Sequence, residues 1–203
     1  MRQILYAGLG LSSGSVYPND LETNLDLMAA CGHVEFRRVA DKQGGDLILN
    51  PYNIITKTHE LPSGNERSLC IVRDGRAAYV SIWKFYEGQR SLQDIVNGNS
   101  AFGLWSDHVM AWTSGKNVVD VIRFEDLIDN PNFIINRLSR IFGNPHSDPE
   151  TPFKNRDLMA EKDGKWIAKH SDWRDSWPSE LEELFWSKNH RAMKLVYPTE
   201  LPK

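Results

Sequence analysis

The chain has 203 residues, of which 40% are apolar and 25% charged, and its formal net charge at pH 7 is -3. This length suits one domain with a single hydrophobic core, and the composition is that of an ordinary globular protein. The net negative charge argues against a general nucleic-acid binder, although it permits a local basic pocket for a small anion.

The two cysteines, Cys31 and Cys70, stand in apolar surroundings, which predicts buried free thiols. The sequence has no disulfide framework and no CxxC metal pattern, as expected in a reducing cytosol. It also has no signal-peptide pattern and no apolar run near the roughly 18 residues that span a bilayer. These features predict a cytoplasmic protein without a membrane span.

The N-terminal region is predicted to begin with a strand over residues 4–9 (ILYAGL), followed by a loop over residues 10–15. Glycine and small hydroxyl residues in such a loop allow backbone N–H groups to face an anion at a strand-to-helix junction. Asn19 and Glu22 resemble a capping box that opens a helix, and residues 34–39 are predicted to form a short strand.

Two apolar runs in the middle of the chain each end in polar, chemically capable residues. The run at residues 54–55 leads into Lys57 and His59, and the run at residues 69–72 leads into Arg73. Continuous apolar runs of this kind suit strands buried on both faces of a sheet. Because ligands bind where the strands of open parallel sheets end, these three basic side chains are expected to converge on one cleft.

A helical pattern over residues 76–86 places Ser81 about two turns beyond Arg73, so that one anion is expected to contact both side chains. Two other interpretations stay open. Ser81 alone is by default an ordinary helix serine, and Arg73 alone is compatible with a surface ion pair.

The second half of the chain is predicted to contain further helices and one buried strand. Residues 103–112 show helical spacing with tryptophans in the core, and residues 118–124 (VVDVIRF) read as the strand. Residues 133–142 are helical in periodicity, and a capping box at Ser179 opens a last helix. Residues 143–176 are irregular, as long loops with a function often are.

Several of these segments, in this order, resemble the sulfotransferase superfamily. KTHELP at residues 57–62 is similar to a lysine-threonine-histidine-x-proline segment of those enzymes. Arg73 and Ser81 resemble the pair that binds the 3′-phosphate of 3′-phosphoadenosine 5′-phosphosulfate (PAPS). LSSGSVY at residues 11–17 aligns with the loop that holds the 5′-phosphosulfate, and VIRFEDL at residues 121–127 is close to a segment near the adenine.

The resemblance implies an α/β fold: a single domain over residues 1–203, with three layers and a central parallel sheet of the P-loop NTPase-like, sulfotransferase type. It implies transfer of a sulfuryl group from PAPS to a hydroxyl or amine acceptor. No metal ion is expected, because a sulfuryl group carries less charge than a phosphoryl group and no carboxylate pair follows the loop with the spacing that holds Mg²⁺, and the net negative charge argues against a nucleic-acid partner. The acceptor and the oligomeric state are not specified by the sequence.

The resemblance also implies a set of nucleotide-binding residues from four segments: Ser12, Ser13, Gly14, Ser15, Val16, Tyr17, Arg73, Ser81, Phe124 and Arg156. In this set Tyr17 occupies the family's tryptophan position and would stack on the adenine. Phe124 would lie near the adenine, with ordinary core packing equally favoured. The family's arginine-lysine-glycine segment is missing, and Arg156 is preferred as its substitute over Lys154 and Lys162.

His59 is the candidate general base, since an unperturbed imidazole titrates near neutrality and can take the acceptor's proton. The family's loop lysine, which stabilises charge on the bridging oxygen, is replaced by Ser12. Lys57 is predicted to supply the missing cation. His108 either faces the acceptor pocket or is a structural histidine.

Three other functions stay open. The missing loop lysine is compatible with a protein of the same fold that binds nucleotide without catalysis. Gly8, Gly10 and Gly14 imitate a dinucleotide loop of a nicotinamide-dependent oxidoreductase, although the expected acidic residue, Glu35, is followed by two arginines and KTHELP stays unexplained. A P-loop kinase is disfavoured because the sequence has no GKS/T motif.

Overall fold

The computed structural model describes most of the chain, with the backbone alone at residues 37–40 and 46–49 and all atoms at residues 1–17, 24–34, 55–62, 67–87, 89–115, 117–143 and 172–201. The chain divides into two compact units. The first spans Met1–His59 and Asn130–Lys169, and the second spans Glu60–Asp129 and His170–Lys203.

The described residues form eight α-helices and six β-strands. The helices are α1 (Arg2–Leu9), α2 (Leu25–Ala30), α3 (Gly75–Phe85), α4 (Leu92–Val96), α5 (Trp105–Thr113), α6 (Phe124–Asp129), α7 (Pro131–Phe142) and α8 (Glu182–Val196). The strands are β1 (Ser13–Ser15), β2 (Arg37–Ala40), β3 (Asp46–Leu49), β4 (Ile55–Lys57), β5 (Ser68–Val72) and β6 (Val118–Arg123). Short 3-10 helices cover Trp173–Ser176, Ser179–Leu181 and Pro198–Glu200.

The prediction of a strand over residues 4–9 is wrong, because this segment belongs to helix α1. The buried residues of α1 recur at helical spacing: Ile4, Leu5, Gly8 and Leu9. Gly10 ends the helix in the left-handed conformation, with φ of 66°, and its N–H donates to the Tyr6 carbonyl. Glycine is the common residue at this position because it has no Cβ to clash. The short apolar run therefore covers one face of a helix.

The loop predicted over residues 10–15 is wrong in its second half, where β1 forms. β1 pairs in parallel with β4, with Ser13 opposite Ile55 and Ser15 opposite Lys57. Both serines are buried. The pairing places the segment predicted to hold the phosphosulfate directly beside the strand that leads into KTHELP.

Helix α2 begins after the capping box that was predicted at Asn19 and Glu22, two residues that lie outside the described part of the chain. Its own cap is Asn24, whose side-chain oxygen accepts the Leu27 N–H at 3.1 Å. The strand predicted over residues 34–39 is confirmed in part by β2, which pairs antiparallel with β3.

The second unit is built on the parallel pair of β5 and β6. These two strands and the helices α3 and α5 confirm the elements predicted for residues 69–72, 118–124, 76–86 and 103–112, except that Phe124 begins helix α6 and does not belong to the strand. Burial of β5 on both faces is not confirmed: Cys70 and Val72 are buried, but Ile71 is 36% exposed. The strand therefore contributes one face to the hydrophobic core.

A buried polar network joins three helices in the second unit. The Asn189 side-chain oxygen of α8 accepts the Tyr79 hydroxyl at 3.3 Å and the Ser106 N–H at 3.2 Å. The Tyr79 hydroxyl in turn accepts the Trp105 N–H at 3.0 Å. The N–H groups of Trp105 and Ser106 are the first two of helix α5, and the side chain of the N-cap residue of this helix does not cap them. Residues distant in sequence therefore cap this helix.

Replacing Asn189 by alanine is expected to lower the free energy of unfolding by about 2–4 kcal/mol, because it leaves a buried hydroxyl and a buried N–H without partners. Urea denaturation followed by circular dichroism measures the change. Asn99→Ala is the matched control, since Asn99 is exposed in the same unit and its hydrogen bonds to other described residues use its backbone N–H and carbonyl. Equal stabilities of the two variants would contradict the role assigned to the network.

Both cysteines are free thiols, as predicted, with Cys31 half-buried and Cys70 buried. Burial raises the pKa of Cys70 from 9.0 to about 11. The folded state therefore holds this proton more tightly than the unfolded state does, and its contribution to stability is complete below pH 9 and lost as the pH rises towards 11.

Between these two pH values the free energy of unfolding is expected to fall by about 2–3 kcal/mol because of Cys70. Denaturant midpoints measured across this interval test the expectation. In Cys70→Ala, which has no thiol at this position, this part of the pH dependence should disappear. If the wild-type chain and the variant lose stability in parallel, the thiol does not cause the loss.

Candidate functional site

Lys57 and His59 lie beside the N-terminal segment in the first unit. The Val16 N–H donates to the Lys57 carbonyl at 3.0 Å, and the His59 N–H donates to the Tyr17 hydroxyl at 2.7 Å. The Tyr17 and His59 rings are stacked with centroids 5.7 Å apart, and the Lys57 ammonium lies 6.0 Å from the centroid of the Tyr17 ring. The structure thus brings both candidate catalytic residues to the predicted phosphosulfate segment.

The backbone of this segment is used within the fold. The Ser13 N–H donates to the Gly32 carbonyl at 3.1 Å, and the Tyr17 N–H donates to the Ser15 hydroxyl at 3.2 Å. The Val16 N–H is held by Lys57, as described above. The expectation that N–H groups of the loop over residues 10–15 face an anion is therefore wrong at Ser13, and the N–H groups of Val16 and Tyr17, just beyond that loop, are also used within the fold. Ser12, half-buried, comes just before β1, and Gly14 lies within it.

Arg2 was missed in the sequence and holds the Ser13 end of this segment. Its Nε donates to the Ser13 hydroxyl at 2.8 Å and its Nη2 to the Ser13 carbonyl at 2.9 Å, and it also contacts the His33 ring. Nothing in the sequence pattern marks this contact, because it joins the first helix to β1 through tertiary hydrogen bonds of the Arg2 side chain. Ser13 is therefore fixed by the protein itself.

Arg73 follows the carboxyl end of β5 in the second unit, and its guanidinium carbon lies 5.1 Å from the centroid of the Phe124 ring. Its Nε is buried and has no hydrogen-bond partner within the described residues. Burial lowers the pKa of Arg73, and the negative charge of Glu125 opposes this effect. A buried donor of this kind is costly unless a further group satisfies it, and an anion is its natural partner.

Arg76 lies in the first turn of α3, three residues after Arg73, and its guanidinium is bound by carboxylates of the protein itself. Its guanidinium pairs with Asp74 at 2.8 Å and Glu182 at 3.2 Å, and it stacks 4.5 Å from the centroid of the Trp173 ring. Glu182 also accepts the indole N–H groups of neighbouring tryptophans, so it does not form the capping box predicted with Ser179. Of the two arginines in RDGR, Arg73 is the one that is suited to bind an anion.

Ser81 lies on α3 and is exposed, about two turns into the helix as predicted. Its joint contact with Arg73 to one anion stays a prediction. Arg156 and the two lysines considered as its alternatives lie outside the described residues.

Two further residues of the second unit lie beside Arg73 and were given no role from the sequence. The Tyr197 hydroxyl donates to the Glu125 carboxylate at 2.5 Å, and the Glu125 carboxylate also accepts the Asp74 N–H at 3.3 Å. Burial and the Glu125 carboxylate strongly raise the pKa of Tyr197. The sequence offered no signal for this pair, because the residues are 72 positions apart.

Helix α5 contacts the second half of KTHELP. The indole N–H of Trp112 donates to the Glu60 carbonyl at 2.9 Å. Trp112 is half-buried, so core packing is only part of its role. His108 is also half-buried, and burial lowers its pKa, which favours a neutral imidazole.

A cavity of about 220 Å³ lies where the strands β5 and β6 begin, at the end of the pair opposite to Arg73, with Ser68, Val118 and Trp112 in its lining. Ser68 and Val118 begin the two strands, whereas Arg73 and Phe124 follow their carboxyl ends. Ligands of open parallel sheets bind at the carboxyl ends, so this cavity is not the predicted nucleotide site. Within the described ranges, no three His, Cys, Asp or Glu side chains are grouped to hold a metal, and no helix is long and apolar enough to cross a membrane.

The chain belongs to the sulfotransferase domain family, which matches residues 45–190. Among solved structures it is similar to the mouse sulfotransferase SULT7A1 complexed with PAP, with a TM-score of 0.52 and 16% identity over 64% of this chain and 62% of that chain. The match thus spans less than two-thirds of that relative's length. No curated protein matches this chain. The resemblance found in the sequence and the α/β fold of sulfotransferase type, with helices and parallel strands, are thereby confirmed.

Proposed function

We propose that this protein transfers a sulfuryl group from PAPS to a hydroxyl or amine acceptor. The observation that carries the proposal is the parallel pairing of β1 with β4, because it brings Lys57 and His59 to Tyr17 and the segment before it. Membership of the sulfotransferase domain family supports the reaction class, and the PAP bound to the similar mouse enzyme supports the nucleotide. A cytoplasmic location is part of the proposal and rests on the sequence.

His59 would accept the proton of the acceptor's hydroxyl or amine as the acceptor attacks sulfur. Lys57 would neutralise the negative charge that develops on the bridging oxygen as the bond to sulfur breaks. Such chemistry depends on positioning and fixed positive charge more than on a protein nucleophile. Both side chains come from one strand end, and the His59 backbone is tied to Tyr17, so their spacing is set by the fold.

Arg73 and Ser81 would bind the 3′-phosphate, and Phe124 would lie near the adenine. The residues present fit this group, because the buried Nε of Arg73 is a donor that an anionic oxygen can satisfy. PAPS, when bound, supplies the sulfuryl group. Ser12 to Tyr17 would face its 5′ end, mainly through side chains, since three N–H groups of this segment serve the protein's own hydrogen bonds.

A nucleotide-binding protein without catalysis is the second candidate, favoured by Ser12 at the position of the family's loop lysine. The oxidoreductase alternative loses its support, because Gly8 lies inside helix α1 and Gly14 inside strand β1. A strand-to-helix dinucleotide loop requires the reverse order of elements.

Thermal-shift measurements with 3′-phosphoadenosine 5′-phosphate (PAP), NADP and ATP test the nucleotide class. We expect PAP to raise the melting temperature most, because ligands that bind the folded state stabilise it. Release of PAP from PAPS with a panel of hydroxyl and amine acceptors then separates the two candidates. Binding of PAP without turnover on any acceptor would favour the inactive nucleotide binder, and a larger shift with NADP would overturn both.

A further inference from the structure

Arg73 is held from both sides by the same pair of residues. The Tyr197 hydroxyl lies 3.3 Å from the carbonyl of Val72, the residue before Arg73. The Glu125 carboxylate accepts the N–H of Asp74, the residue after Arg73, at 3.3 Å. The single phenol proton goes to the Glu125 carboxylate at 2.5 Å, so the pair is hydrogen-bonded to the peptide group after Arg73 and contacts the carbonyl before it.

The same pair fixes the aromatic ring beneath the guanidinium. Phe124 directly precedes Glu125 and starts α6, so the anchored carboxylate sets the position of the ring that stacks on Arg73 at 5.1 Å. Tyr197 is 4% exposed and ends α8, so its hydroxyl reaches the strand ends from a rigid helix. Because the Tyr197 side chain is already buried in the fold, little additional conformational entropy is lost when its hydroxyl positions Glu125 and Val72.

The hydrogen bonds of the Glu125 carboxylate go to groups other than the Arg73 guanidinium. Its carboxylate accepts the phenol O–H and a backbone N–H, and within the described residues it makes no ion pair with the guanidinium. Arg76 shows the contrasting arrangement, in which carboxylates occupy the guanidinium directly. Arg73 is thus positioned through the hydrogen bond to Asp74 and the contact with Val72, while its Nε has no hydrogen-bond partner within the described residues.

We propose that Tyr197 and Glu125 are positioning residues that orient Arg73 towards the 3′-phosphate and so set the preference for a 3′-phosphorylated nucleotide. The inference rests on the proposed function and extends it to specificity. Neither residue would touch the nucleotide. Their effect would appear only in the part of the binding energy that the 3′-phosphate contributes.

The test compares the dissociation constants of PAP and of AMP, which lacks the 3′-phosphate, by calorimetry. The ratio of the AMP constant to the PAP constant measures what the 3′-phosphate contributes. Tyr197→Phe removes only the hydroxyl, and Glu125→Gln keeps the size of the side chain while removing its charge. We expect each variant to lower the ratio about five- to tenfold, as loss of one charge-assisted hydrogen bond would.

Tyr79→Phe is the matched control, because it removes another buried hydroxyl of the second unit that hydrogen-bonds elsewhere. It should leave the ratio unchanged, whatever it does to stability. If Tyr197 and Glu125 merely stabilise the fold, their variants will weaken PAP and AMP in proportion, the ratio will stay at its wild-type value, and the inference is wrong. Should Tyr197→Phe fail to fold, Glu125→Gln decides alone.

Arg73→Met separates this inference from the proposed function. We expect this variant to bring the ratio of the AMP constant to the PAP constant close to one. Adding Tyr197→Phe to Arg73→Met should then not change the ratio further. If Arg73→Met leaves the ratio intact, the proposed 3′-phosphate site is wrong and the inference falls with it. If Arg73→Met collapses the ratio while the Tyr197 and Glu125 variants do not, the site stands and only the inference is overturned.

Discussion

Replacing His59 by alanine is expected to lower kcat for sulfuryl transfer by about 10²- to 10⁴-fold, the usual contribution of a general base. The variant loses the stacking of the His59 ring on Tyr17, but it keeps the hydrogen bond between the two residues, which uses the His59 backbone N–H. The segment that would hold the 5′ end of the nucleotide should therefore stay in place. We accordingly expect the dissociation constant of PAP to change less than threefold or so, well under the 1.4 kcal/mol that a tenfold change represents.

Initial rates of PAP release from PAPS, with an acceptor that the wild-type protein uses, give kcat, and calorimetry gives the affinity for PAP. His190→Ala is the matched control, since His190 is an exposed histidine of α8 whose ring lies 6.3 Å from that of Trp186. Its kcat should equal that of the wild type. Full turnover by His59→Ala would remove His59 from the role of base.

The sequence predicted the segments in which chemistry and local structure coincide. A polar residue that ends an apolar run and precedes a helix is marked by both patterns at once, which is why the strand end before Arg73, helix α3 and the place of Ser81 on that helix were predicted correctly. KTHELP was placed at a strand end because it follows the apolar run at residues 54–55. Local patterns of this kind need no knowledge of tertiary contacts.

The errors arose where tertiary contacts decide. Residues 4–9 are apolar enough for a buried strand, and only packing and the glycine at position 10 make them a helix. Glu182 has the spacing of a capping box with Ser179, but Arg76 and two indoles compete for its carboxylate. Such charge-assisted bonds outweigh a local cap. The Tyr197–Glu125 pair was invisible for the same reason, because it joins distant segments.

Lys57→Met is expected to lower kcat by about 10²- to 10³-fold, as loss of one preorganised group that stabilises developing charge does. The reason lies at the N-terminal segment, where Ser12 stands at the position of the family's lysine. Lys57 ends β4 directly opposite Ser15 and holds the Val16 N–H through its carbonyl. Since that hydrogen bond uses the backbone, methionine keeps it and removes only the charge.

Restoring the family's lysine in the same chain sharpens this prediction. If Lys57 supplies the cation that Ser12 lacks, then Ser12→Lys should recover at least about tenfold of kcat in the Lys57→Met background, because one charge replaces another at the same oxygen. In the wild-type background the gain should be much smaller, since the cation is already present. Lys194→Met, at an exposed position of α8, controls for the loss of a lysine as such. A Lys57→Met variant with wild-type kcat would contradict this role and would mean that any positive charge needed near the 5′ end comes from another side chain.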